Sequence, residues 1–152
     1  MFVEFWHSEP DNGREAWAIL AIKTLKGKIF EWKIAYANPV KVVRVVESSS
    51  EGDEQPILEC LIREIHRCKR GTTLVTFSRE ILSLLRGKIL EHRIKNASFR
   101  GLTHFCMENL LLEYFAEQGV ADDVSQDPSA LWALLTAIGP LVPVRALEGD
   151  PL

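Results

Sequence analysis

The chain predicts a single α/β domain over residues 1–152. It is built on a mixed sheet in which an antiparallel three-strand meander is followed by parallel strands flanked by helices. Three observations predict this. Up to residue 46, apolar residues alternate or run unbroken in short stretches separated by turn residues. From Ile57 the apolar spacing switches to the threes and fours of a helix. Beyond that, short β-branched runs alternate with helical stretches, the pattern of strand–helix–strand units with parallel strands.

The elements follow in order. Residues 2–8 (FVEFWHS) are bulky and aromatic and suit a strand, and Glu9-Pro10-Asp11-Asn12-Gly13 is a turn. Residues 16–25 (AWAILAIKTL) form an apolar run that reads as a buried strand. Lys26-Gly27 turns the chain into 28–37, where Phe30, Trp32, Ile34 and Tyr36 share one face. These three segments read as the meander. Asn38-Pro39 breaks it, and Val40–Val46 reads as a short edge strand carrying Lys41 and Arg44. Residues 48–53 are a polar loop. Ile57, Leu58, Leu61, Ile62 and Ile65 then form one helical stripe, with Asp53 or Gln55 as the cap, Pro56 in the first turn and Gly71 at the end.

Residues 73–77 (TLVTF) read as a strand. Residues 80–95 read as a helix with Ile81, Leu84, Leu85, Ile89 and the stem of His92 inward. Leu102–Cys106 reads as a strand and Met107–Phe115 as a helix with Gly119 past its end. Asp127-Pro128 opens a last helix that Gly139-Pro140 stops. The tail, 141–152, reads as an apolar strand or extended arm with a frayed end.

Apolar residues make up 47 % and charged residues 26 %, ordinary for a globular domain, which excludes disordered, collagen-like and coiled-coil chains. No apolar run is long enough to span a bilayer, and the N-terminus lacks the basic start and cleavage site of a signal peptide. Cys60, Cys68 and Cys106 are odd in number and form no CxxC pair. That argues against a disulfide framework or cysteine zinc site and points to the cytoplasm. The four histidines show no HxxxH or HExxH spacing, though His104, on a strand, stands out. Walker A, Gly-x-Ser-x-Gly and Gly-x-Gly-x-x-Gly strings are absent.

The net charge of −3 hides an asymmetry. Residues 63–100 hold ten Lys/Arg against three acids, a net +7, so the rest of the chain carries −10. Arg67, Lys69, Arg70, Arg79, Arg86, Lys88, Arg93 and Lys95 are the candidate nucleic-acid contacts, because clustered cations attract phosphate and give salt-dependent affinity. The simpler alternative is a pair of solvated helix faces whose arginine stems cover apolar surface. Few aromatics interleave with the cations, so no stacking platform is written.

Four strings carry a family resemblance. GDEQPILECLIREI (52–65) resembles an acidic loop and helix that follow a meander. LVTFSREILSLLRGKILEHRI (74–94) resembles a strand and helix joined by a Thr-Tyr-Asn-like tripeptide and Phe-Asp. FRGLTHFCMENLL (99–111) resembles a segment that usually reads His-Leu-Asp-Leu. DDVSQDPSALWALL (122–135) resembles a motif whose aspartate precedes a helix. Together, over about residues 2–138, they resemble the ribonuclease-H-like fold, and within it the DEDD-type 3′–5′ exonucleases. That resemblance implies a two-metal phosphodiesterase site, with Mg²⁺ or Mn²⁺ about 4 Å apart on four carboxylates.

The sequence departs from that pattern at most of these positions. The first motif's Asp-x-Glu falls on Glu4-Phe5-Trp6, the third motif's aspartate on Thr103, and the fourth's on Asp127, with Asp123 at its Tyr/His partner. Glu80 is the only carboxylate near the second motif. The catalytic remnants are therefore Glu4, Glu80 and Asp127, and Glu4 and Asp127 are the metal ligands if the site is active. Each has a simpler role. Asp127-Pro128 is an N-cap and N1 pair, the commoner function. Glu80 is a first-turn acid favoured by the helix dipole. Glu4 sits in a strand, where a lone carboxylate needs a partner.

The leading expectation is a catalytically degenerate exonuclease-like domain, needing no cofactor. It acts as a module for single-stranded nucleic acid or for protein assembly with an acidic partner. The alternative is a divergent metal-dependent 3′–5′ exonuclease using Mg²⁺ or Mn²⁺. A third is a structural homo-oligomer, because Leu110-Leu111-Leu112 with Tyr114 and Phe115 exceeds one helical stripe.

Overall fold

A computed structural model describes residues 16–116 and 126–152. Its β-sheet is six-stranded. Strands β1 (Trp17–Leu25), β2 (Lys28–Ala37) and β3 (Val42–Ser49) form the meander. Helix α1 (Glu54–His66) leads to β4 (Thr73–Thr76), which lies parallel to β1. Helix α2 (Arg79–Glu91) leads to β5 (Thr103–Cys106), parallel to β4. Helices α3 (Met107–Phe115) and α4 (Pro128–Ile138) follow. Two 3₁₀ turns then lead to β6 (Asp150–Pro151), antiparallel to β5. The order across the sheet is β3-β2-β1-β4-β5-β6. No helix among the described residues is long and apolar enough to cross a membrane.

β1 lies between β2 and β4, and a core packs on each of its faces, so its apolar run has no polar alternation to show. Its even positions, Ala18, Leu20 and Ile22, pair with Tyr36, Ile34 and Trp32 and face one core, covered by α1 and α2. Its odd positions, Trp17 and Ile19, pair with Ala37 and Ala35 and face the other, with α3 and α4. The molecule is therefore three layers, helices on both faces of the sheet. The predicted stripe of α1 is buried at every position, and each such aliphatic side chain contributes roughly 1.5–3 kcal/mol.

Several local readings shift. The meander runs over 17–49, and its third member is Val42–Ser49, longer than the short edge strand expected at 40–46. The segment 2–8, expected to be the first strand, lies outside the described residues. In β2 an extra residue opposite Lys23 and Thr24 shifts the alternation. Ile29, rather than Phe30, therefore joins Trp32 in the core. Helix α1 ends at His66, before Gly71, because the Cys68 N–H closes on the Ile65 carbonyl and Thr72 on Lys69. The tail, expected as an apolar strand or extended arm, forms 3₁₀ turns and a two-residue strand.

Side-chain tethers hold the layers. The Trp32 indole donates to the Ile57 carbonyl at 2.9 Å. The Tyr36 hydroxyl donates to buried Glu64 at 2.9 Å, while Arg44 stacks 3.9 Å over the Tyr36 ring and Arg67 reaches Glu64 at 3.3 Å. Burial and then the Cys68 and Glu64 charges push the Tyr36 hydroxyl far above its ordinary range, so it stays a donor. Asn38 explains the break it makes: its Oδ1 accepts from Val40 and Lys41, and its carbonyl accepts the Trp132 indole at 2.9 Å.

Candidate nucleic-acid interface

Because α1 turns its apolar stripe inward, Gln55, Glu59, Arg63 and His66 lie toward its other side. The second wall comes from the segment that ends α2. There the Arg93 N–H bonds the Leu90 carbonyl, and the Ile94 N–H bonds the Ile89 carbonyl at 3.0 Å. This is a Schellman closure, with Arg93 as the left-handed residue at φ 51° and half-buried Ile94 as its apolar contact. Asn96, at φ 60°, bends the chain again. Between the two walls lies a cavity of about 350 Å³, within the range of ligand pockets. Arg63, Arg93, Lys95, His66 and His92 line it against one acid, Glu59. Ile62 and Ile94 add apolar surface, and Gln55 and Asn96 add amides.

Beside this groove lies a closed ionic cluster. Glu54, its side chain only 5 % exposed, accepts from the Ile29 N–H, from Lys88 at 3.1 Å and from His92 at 2.7 Å. Lys88 also donates to the Gly27 carbonyl at 2.7 Å and sits 3.4 Å from Glu91. Burial would raise the Glu54 carboxyl. The hydrogen bonds from His92, Ile29 and Lys88 outweigh it and hold the group below its ordinary range. Burial would lower Lys88, but Glu54 and then Glu91 hold it above its ordinary range. The cluster pins the β1–β2 turn to both helices of that layer.

Glu54, Glu91 and His92 bring their ligand atoms within 4.8 Å of one another, the only such group among the described residues. Glu54 is already engaged by Lys88, His92 and the Ile29 N–H, so a cation there would compete with the Lys88 ammonium.

The predicted site residues are dispersed. Glu4 and Asp123 lie outside the described residues. Glu80 is exposed in the first turn of α2. Asp127 is the N-cap of α4, its carboxylate accepting the Ser129 N–H at 3.0 Å. Thr103 bonds Thr73 across the parallel pair at 2.9 Å. Of the eight predicted cations, Arg93 and Lys95 line the groove. Arg67 is engaged with Glu64, and Lys88 with Glu54. Lys69 and Arg70 are exposed in the turn before β4, and Arg79 and Arg86 on α2. Sequence reading missed Arg63, His66, His92, Gln55 and Asn96 as groove residues. The available signal was Arg63 and His66, three apart on the polar side of the α1 stripe. Of the surplus apolar residues on α3, Leu110 and Leu111 are buried, while Leu112 and Tyr114 are exposed.

Comparison with protein-family models, with curated proteins and with solved structures finds no match.

Proposed function

We propose that the chain is a ribonuclease-H-like domain without a working carboxylate set, and that it holds single-stranded nucleic acid in the groove between α1 and the end of α2. The fold assignment draws support from the strand order: a meander on one side of β1 and parallel strands on the other, as the family resemblance implies. One observation carries the binding reading. Arg93 occupies a left-handed position that costs a side chain about 1 kcal/mol and that glycine takes freely, and it does so on the wall of a basic groove. Strain kept at such a place points to a function for the guanidinium. The groove's cations meet phosphates, and its amides and aliphatic surface meet bases.

The test is fluorescence anisotropy with short labelled single strands of DNA and RNA across a salt series. Three groove cations predict a slope of about 2 in log Kd against log salt, since single strands give about 0.7 per phosphate contact. Reversing Arg63 and Lys95 to glutamate abolishes binding. Absence of binding in the unaltered chain, or binding indifferent to salt, overturns the reading. The same strands, end-labelled and incubated with Mn²⁺, stay intact. Shortening that Glu4→Ala removes would establish the divergent nuclease instead.

A further inference from the structure

A second cleft lies at the carboxyl ends of β4 and β5, the edge where open α/β sheets place their ligands. It measures about 130 Å³ and admits only a compact molecule. His104 lines it. The Thr76 hydroxyl lies 2.9 Å from the Ser78 carbonyl and 2.8 Å from His104 Nε2. A hydroxyl has one proton, and a carbonyl can only accept, so that proton goes to Ser78. Thr76 Oγ1 must then accept from His104, which fixes the proton on Nε2. Nδ1 is left with a lone pair and no partner among the described residues. Burial, then Arg79 and Arg86, opposed by Asp150, hold the ring below its ordinary range, so it is neutral at pH 7.

The cleft carries charges of both signs. Arg79, from the start of α2, and Glu113, Glu148 and Asp150 are its charged lining residues. None of the four forms an ion pair with another described residue. The segment carrying Glu148 and Asp150 packs tightly on β5. Gly149 lies so close to β5 that a Cβ there would meet Thr103 Oγ1 at 2.7 Å and the His104 backbone N at 2.9 Å. Opposite charges that are unpaired among the described residues, with a hydrogen-bonding ring in the same cleft, suit a ligand that carries both signs.

We propose that this cleft binds a small zwitterion of the α-amino acid class. Its ammonium donates to His104 Nδ1 and the carboxylates, and its carboxylate is held by Arg79. The site is separate from the basic groove and stands or falls without it.

The test is NMR titration of the His104 ring at neutral pH with glycine, L-alanine and L-serine. Methylammonium and acetate, each carrying half the charge pattern, serve as controls. An amino acid shifts the ring signals saturably, and each control binds at least about tenfold more weakly. Arg79→Gln, on an exposed residue, weakens amino-acid binding about tenfold and leaves the methylammonium response unchanged. Protonating His104 at low pH removes the acceptor and the binding with it. No saturable shift with any of the three amino acids, or equal responses to the controls, overturns the proposal. So does an Arg79→Gln protein that binds as before.

Discussion

Lys26 and Gly27 show how much one residue's backbone decides. Leu25 and Lys28 are paired, so the two residues between them close the hairpin alone, at φ 52° and 79°. Both therefore sit in the left-handed region, as a type I′ turn requires. Glycine is at ease there, and lysine is not. Asparagine tolerates that region better, so Lys26→Asn stabilises the chain by roughly 0.5 kcal/mol, read as a higher urea midpoint with an unchanged slope. An unchanged or lower midpoint would show that the lysine side chain makes up its strain elsewhere. The turn also matters beyond itself, because the Gly27 carbonyl is an acceptor for Lys88.

Among the elements, the clearest dependence is that of α1 and α2 on the Glu54–Lys88 pair. Both side chains are largely buried, at 5 % and 12 % exposure. Removing one charge strands the other, which costs about 3 kcal/mol in buried pairs. Glu54→Gln is therefore strongly destabilising. It also changes the pH dependence in a defined direction. A carboxyl held below its ordinary value of 4.5 adds stability above that pH and loses it as the pH falls through the folded value. Denaturation between pH 6 and acid is then steeper for the unaltered chain than for Glu54→Gln, which lacks the titrating group. Parallel curves would assign the acid sensitivity to other carboxylates.

Elements differ in how far their sequence reveals them. The α1 stripe and the β1 run were legible because burial on one face, or on two, imposes its own period. β3 was partly hidden because Arg44 and Glu47 interrupt its valines on an exposed edge. The cluster around Glu54 was not legible at all, since its partners are as much as 38 residues away. Nor was the groove. Its second wall depends on a left-handed residue, and a glycine would have marked that position where an arginine does not.

At the scale of the whole molecule, the mixed sheet and its flanking helices were foreseeable from the switch in hydrophobic period. The placement of the charge was not. The ten cations of 63–100 do not form one face: some line the groove, some are consumed by Glu64 and Glu54, and two stand beside His104. The proposed binding rests on the few whose charge is left available in a shaped cavity. The central claim is that Arg93 is kept in a strained position for its guanidinium. The measurement that tests it most directly is Arg93→Gly, followed by melting temperature and single-strand affinity on the same sample. Relief of the left-handed strain raises Tm by about 3 °C. Loss of one phosphate contact weakens binding and lowers the salt slope by about 0.7. A variant that gains stability and binds as tightly as before, with the same slope, would contradict the account.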